Sequence, residues 1–194
     1  MQSLLPAMRK AKILTPDEYE LFEKNIYCEI FRASNGKRLS DIRQTWSQVP
    51  RYLKKNPEIV CAYVKQISRH APVTGTDTTK EMEELIRKTL KTQWQPDLAR
   101  MYGDLPFNNL NRQLVIAGAW LKMYGQQPEL LLTLGRLCMR VQLWGKARDY
   151  FEKCLALGPD AEASLEYGKL LEQLDEPNAA MQKYRDGLAR LTER

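Results

Sequence analysis

Histidine occurs once in the 194 residues, at His70. Nucleophilic triads and most general-base schemes depend on histidine, so the chain has almost no material for that chemistry and is not expected to be an enzyme. His70 stands beside Arg69, near a predicted helix end and a loop, and reads as a solvated helix-capping residue. The four cysteines, Cys28, Cys61, Cys138 and Cys154, form no Cys-x-x-Cys pair, and each falls among apolar neighbours on a helical pattern. They read as small buried hydrophobes rather than metal ligands or disulfide partners, and unpaired thiols suit a reducing compartment. No spacing of His, Cys and carboxylates offers a converging metal set. The phosphate-cradling patterns GxxxxGK[ST] and GxGxxG are missing too, with Gly118, Gly125, Gly135 and Gly145 placed in helices or at their ends. No apolar run approaches the roughly 18 residues of a membrane span. The opening MQSLLPAMRKAKIL is interrupted by Pro6, Arg9, Lys10 and Lys12, unlike a signal-peptide core.

What is present is ordinary for a folded domain: 43% hydrophobic and 28% charged residues. The formal charge is +6, but basic residues cluster only at Arg9–Lys12, Lys37–Arg38 and Arg51–Lys55 and are otherwise interleaved with acids. A nucleic-acid binder gathers them into a stripe, so no nucleic-acid partner is expected.

Helical periodicity runs the whole length, and one stretch organises it. PELLLTLGRLCMRVQLWGKARDYFEKCLALGP (128–159) reads as helix, turn, helix, with Leu131, Leu134, Gly135 and Cys138 on one face and Ala147, Phe151 and Cys154 on the other helix's face. Gly135 and Ala147 let two backbones approach, and Phe151 fills the space beside them. The pattern returns 33 positions later, where Gly168, Leu171, Ala180, Tyr184 and Leu188 follow Gly135, Cys138, Ala147, Phe151 and Leu155. A repeat near 34 residues built as a helical hairpin is the tetratricopeptide signature, preferred here over an antiparallel bundle with coincidental spacing. The expected fold is all-α, with tetratricopeptide-like hairpins stacked in a right-handed superhelix.

One solenoid domain over 1–194 is expected, with N-terminal helices in 1–56, degenerate repeats in 57–127 and clear repeats at 128–160 and 161–194. A short helix is predicted over Leu4–Lys12, and a long one opens at a capping box of Thr15 and Glu18, burying Tyr19, Phe22, Ile26 and Ile30 before Asn35-Gly36. A shorter helix covers Leu39–Trp46, and Asn56 caps the next, whose face is Ile59, Ala62, Tyr63 and Ile67. HAPVTGTDTTKE reads as a long hairpin loop, with Thr78 and Glu81 as a second capping box. Helices from Pro96 to Gly103 and from Leu110 to Tyr124 follow. The outer face of the final helix, with Lys183, Arg190 and Arg194, is expected to be polar as a terminal repeat requires.

Without catalytic material, the functional surface is expected to be a binding groove. In a tetratricopeptide array the first helix of each hairpin lines the concave side. That register selects Glu129, Leu132, Thr133, Arg136 and Arg140 from one repeat and Glu162, Glu166, Lys169 and Gln173 from the next. Both charge signs are present, so the ligand is neither simply acidic nor simply basic. A solvated face without a partner is the competing reading.

The stretch LLLTLGRLCMRVQLWGKARDYFEKCLALGP resembles the HemY family, bacterial inner-membrane proteins associated with late protoheme biosynthesis. So do LLPAMRKAKILTPDEYE, WSQVPRYLKKNPEIVCAYV, LIRKTLKTQWQPDLARMYGDL, AGAWLK and LLEQLDEPNAAMQKYRDGLA. Trp144-Gly145-Lys146 is the most specific piece, since ordinary tetratricopeptide repeats do not require it. The resemblance implies a longer protein, with two N-terminal transmembrane helices followed by helical repeats on the cytoplasmic side. This sequence would then be a soluble C-terminal portion. It also implies protein partners, heme-biosynthesis enzymes first among them, and supplies no catalytic motif. The same name is used for an unrelated flavin-dependent protoporphyrinogen oxidase, whose dinucleotide-binding glycine motif this chain lacks. No cofactor is assigned. A carrier of heme or porphyrin is the alternative, since the cysteines, His70 and the methionines could ligate iron, although none sits in a Cys-Pro or CxxCH context.

Overall fold

The computed structural model describes residues 15–70, 76–105 and 109–192. Among these residues there are ten α-helices, one three-residue 3-10 turn and no strand, and the fold is all-α and tetratricopeptide-like. Contacts gather into two compact units, Met1–Gln95 and Pro96–Arg194, each taken by itself below.

The first unit holds α1 (Pro16–Arg32), α2 (Leu39–Gln48), the turn Leu53–Lys55, α3 (Pro57–Ser68) and α4 (Thr76–Leu90). The capping box expected at α1 is formed: Thr15 Oγ1 accepts from the Glu18 N–H, and Glu18 Oε2 accepts from the Thr15 N–H at 2.9 Å. Asn56 caps α3 by accepting from the N–H groups of Glu58 and Ile59. α3 is buried nearly all round and packs against α1, α2 and α4. Its Tyr63 is the knot of the unit, stacked on Trp46 of α2 with ring centroids 4.3 Å apart and tilted against Phe31 of α1 at 5.5 Å. Its hydroxyl donates to Glu81 of α4 at 2.6 Å, and Arg43 of α2 holds the same carboxylate at 2.7 Å.

Two expectations for this unit are corrected. The buried face of α1 is Glu23, Ile26, Tyr27, Cys28 and Phe31, one residue round from the predicted stripe, with Phe22 exposed and Tyr19 and Ile30 only half-buried. The rotation follows from Glu23, whose carboxylate accepts a hydrogen bond from the Tyr52 hydroxyl and so can be taken inside. Thr78 is not an N-cap, because α4 is already helical from Thr76. Thr78 is instead buried within the helix and accepts from Arg43. The expected loop HAPVTGTDTTKE (70–81) is helical from Thr76 onward; its residues 71–75 and the predicted helix over Leu4–Lys12 lie outside the described residues.

The second unit comprises α5 (Pro96–Asp104), α6 (Leu110–Tyr124), α7 (Pro128–Arg140), α8 (Trp144–Leu157), α9 (Ala161–Gln173) and α10 (Pro177–Thr192). The 33-residue pattern is realised in contact. A Cβ built on Gly135 would lie 2.4 Å from Cε1 of Phe151, and one on Gly168 would lie 2.2 Å from Cε1 of Tyr184. Each glycine therefore admits the ring from its partner helix. The turns repeat as well. Gln142 and Asp175, 33 positions apart, both take left-handed φ values of 58° and 60°. The Leu143 N–H donates to the Cys138 carbonyl at 2.8 Å and the Glu176 N–H to the Leu171 carbonyl at 2.9 Å, so both first helices end in the same Schellman-type turn. Leu131, Leu132, Cys138, Ala147, Phe151 and Cys154 of α7–α8 join Ala163, Tyr167, Leu170, Leu171 and Ala180 of α9–α10 in one core. The first helices lie in a row, α5 against α7 and α7 against α9.

The last helix departs from expectation in part. Arg190 is exposed and Lys183 half-buried, but Leu188 and Leu191 are exposed as well, at 62% and 61%. The outer face of α10 is therefore mixed rather than polar among the described residues; Arg194 lies outside them.

Candidate functional site

The row of first helices places the candidate groove residues on α7 and α9, and Pro128 at the start of α7 and Asp160 before α9 fix where those helices begin. Asp160 caps α9 by accepting from the Ala163 N–H at 2.9 Å.

The nine residues selected from the sequence fall into three groups. Leu132 and Thr133 do not reach the groove surface. Leu132 belongs to the core, and the buried Thr133 hydroxyl donates to the Ala99 carbonyl at 2.6 Å, tying α7 to α5. The physical reason is the close approach of those two helices: Gly103 of α5 lies so near Thr133 that a Cβ there would sit 3.0 Å from its Cα. Gln173 is exposed, and no contact gathers it with the rest. The other six, Glu129, Arg136, Arg140, Glu162, Glu166 and Lys169, are brought together.

They form a continuous ion network that also recruits Arg100 and Asp104 of α5 and Asp160. Arg136 is its centre, with only 8% of its side chain exposed. It lies 2.7 Å from Asp104, 2.6 Å from Glu162 and 3.6 Å from Glu166. Arg100 contacts Asp160, Glu162 at 2.7 Å and Glu129 at 4.0 Å. Arg140, exposed like Lys169, donates to the Asp104 and Leu105 carbonyls at the end of α5 at 2.8 and 3.2 Å. A cation at a helix C-terminus is favourably placed. Lys169 reaches Glu166 at 3.1 Å.

The electrostatics follow from that geometry. Burial pushes the Asp160 carboxyl up, but hydrogen bonds from Arg100 and from the Ala163 N–H outweigh it and leave the group below its ordinary value. Glu162 behaves alike: burial raises it, and the guanidinium groups of Arg136 and Arg100 bring it below the usual carboxylate range. Burial opposes charge on Arg136 too, yet its three carboxylate neighbours hold its pKa above the ordinary arginine value. Four cations and five carboxylates thus share this surface, and each sign is answered within it. Such a surface can exchange internal ion pairs for external ones, accepting a ligand that carries both charges in register.

Arg100, Asp104 and Asp160 were not among the sequence-selected residues. A signal existed for one of them. Gly103 precedes Gly135 by 32 positions, and counting on that offset places Asp104 in the register of Arg136.

Chemistry beyond ion pairing is sparse. Burial pushes the Cys138 and Cys154 thiols up to about 11 and raises Cys28 as well, so none is primed as a thiolate. Among the described residues no group of three or more His, Cys, Asp or Glu side chains could hold a metal ion, and no helix is long and apolar enough to cross a membrane.

No protein-family model matches the sequence. Along nearly its whole length the chain is HemY-like: it is 24% identical over 188 residues to Protein HemY of Escherichia coli strain K12, an alignment that covers 95% of this chain and 45% of the relative. The Protein HemY of Shigella flexneri gives the same identity and coverage, 24% over 95% of this chain. The chain spans about half the length of the curated relatives it matches, their covered share being 45%. Among solved structures, the crystal structure of the MamA protein superposes with a TM-score of 0.52 at 14% identity, covering 86% of this chain and 91% of that one. A second MamA chain, MamA MSR-1 C2, gives 0.51 at 13% identity over 90% and 97% of the two chains. At such identities the likeness shows the fold, a helical array of the tetratricopeptide type.

Proposed function

We propose that this chain is a non-catalytic protein-interaction scaffold, HemY-like in kind, and that the row formed by α5, α7 and α9 is its docking groove. The observation that carries the reading is the ion network on that row. Successive hairpins present paired charges of both signs on one continuous face, supported from behind by the Gly135–Phe151 and Gly168–Tyr184 contacts. A partner segment with alternating charges gains several charge-assisted contacts there, and no reacting group is needed. Likeness to HemY supports a finer reading, in which the longer protein is anchored at the bacterial inner membrane. The groove would then gather enzymes of late protoheme biosynthesis on the cytoplasmic side.

The test uses the full-length protein in membranes of a heme-synthesising bacterium, with a photo-crosslinking amino acid at Lys169, an exposed member of the groove network, or at Lys153 on α8. Crosslinks to a heme-pathway enzyme from Lys169, absent from Lys153 and lost on R140E, are the expected result. Identical crosslinking patterns from the two positions would remove the groove from consideration. Burial holds the Cys138 and Cys154 thiols protonated, with pKa values up to about 11, which disfavours those two as thiolate ligands to heme iron.

A further inference from the structure

The charges of the groove are answered unevenly along α7. In the second half of the helix Arg136 has Asp104 and Glu162 at 2.7 and 2.6 Å. One turn on, Arg140 has no carboxylate within 4.0 Å among the described residues, and its donors go to two neutral carbonyls at the end of α5. Of the residues outside those described, only Glu193 is acidic. Burial opposes charge on all three arginines of the network. Carboxylates at Arg100 and Arg136 outweigh it and hold both above the ordinary arginine value, whereas Arg140 is left below it. Arg140 is exposed, so an anion arriving from solvent meets a cation that the fold positions without neutralising.

The start of α7 shows the opposite sign. Glu129 has one ion contact, with Arg100 at 4.0 Å, the longest in the network, and Arg100 is held closer by Asp160 and Glu162. The Glu129 side chain keeps 22% of its surface exposed. Glu129 and Arg140 are eleven positions apart, three turns of helix, so they share a face at a separation of about 16 Å. On α9 their counterparts 33 positions on are Glu162, already paired with Arg100 and Arg136, and the uncharged Gln173. The polarity belongs to α7 rather than to the repeat. Beside α7 the furrow is narrow, since a Cβ on Gly103 of α5 would sit 3.0 Å from the Thr133 Cα. A helix about 10 Å across rides above such a furrow, whereas an extended chain lies along it.

We propose, on the footing that this row is the docking surface, that its guest is an extended segment of a partner protein with an acidic side chain on Arg140 and a basic one on Glu129. In an extended chain those two side chains are about five residues apart. The pairs between the two ends, already answered within the chain, need not open to admit it.

A display library of random peptides, selected on the 194-residue chain with a photo-crosslinking amino acid at Lys169, is the probe. Enriched peptides are expected to carry Asp or Glu and Lys or Arg at that spacing, each about fivefold above its frequency in the library. R140Q should remove the acidic preference and keep the basic one, E129Q should do the reverse, and R140K should keep both, with the helical circular-dichroism spectrum unchanged in all three. Peptides that crosslink from Lys169 but show no such pair, or a pair that R140Q and E129Q leave intact, would overturn the proposal and leave the groove standing. Enrichment without crosslinks from Lys169 would move binding off the groove and count against both. No enrichment would overturn the proposal, the docking role then resting on the crosslinks in membranes. Peptides that bind this chain but not the full-length protein would seat a segment of the same protein in the groove, which overturns the assignment to a partner.

Discussion

Two identical substitutions, Gly135→Ala and Gly168→Ala, should differ in cost although they occupy the same place in successive repeats. At both sites the added methyl meets a ring carbon far inside the usual 3.5–4.0 Å contact distance, at 2.4 Å from Phe151 and 2.2 Å from Tyr184. Alanine gains about 1 kcal/mol over glycine in a helix interior, and overpacking costs about 1–3 kcal/mol. The balance depends on whether the ring can leave. Phe151 is fully buried in the shared core, with Tyr167 against its face, so G135A takes the upper end of the penalty and loses about 2 kcal/mol net. Tyr184 is only half-buried, beside a hollow lined by Leu165, Leu188 and Leu191, and can shift aside at the cost of its hydroxyl's bond to Glu172, so G168A is expected to lose no more than about 1 kcal/mol. Urea denaturation followed by circular dichroism measures both. A double-mutant cycle of G135A with F151L adds a second check. The smaller side chain relieves the clash, so the pair should be less destabilised than the sum of the singles by about 0.5–2 kcal/mol. Equal stabilities for G135A and G168A, or strict additivity in the cycle, would refute the reasoning.

R136M removes the cation at the centre of the ion network and leaves Asp104, Glu162 and Glu166 facing one another. Because those carboxylates keep partial access to water, the expected loss is about 1–3 kcal/mol, below the full cost of a broken buried pair; urea midpoints at low and high salt report it. Asp160 and Glu162 titrate below their ordinary values of 3.8 and 4.5, so their contribution to stability is present above that range and is lost as pH falls through the depressed folded values. Thermal melts at pH 6, 4 and 3 should show the decline, and R100M should flatten it. N56A deletes the cap of α3 and should cost about 1 kcal/mol, read from the urea midpoint. With thiols raised to about 11, Cys138 and Cys154 should resist an aromatic disulfide reagent at pH 8 in the native chain and react at once in denaturant.

Much of the architecture was legible because it rests on local signals. Thr15 with Glu18, and Asn56, cap helices through atoms within three residues, and Gly135 with Phe151 recurs at a fixed offset as Gly168 with Tyr184. What escaped depends on partners distant in sequence. Glu23 looks like a solvent residue until Tyr52, 29 positions away, supplies its hydrogen bond and turns α1 by one residue. Leu132 and Thr133 looked like groove residues until α5 came close enough to cover them, an approach set by Gly103. Arg100 entered the site across 60 residues to meet Asp160, a separation no local periodicity encodes. The exposure of Leu188 and Leu191 is not legible in local periodicity, because which side of α10 faces outward is set by its packing on α9.

Arg136 bonds forward to α9 and back to the end of α5, so the same atoms that wall the groove also clamp its neighbouring helices together. Any guest that draws Glu162 or Asp104 to itself loosens that clamp, and salt does the same without a guest. Occupancy would then register as a change in the spring constant of the array, sensed at helices the guest never touches.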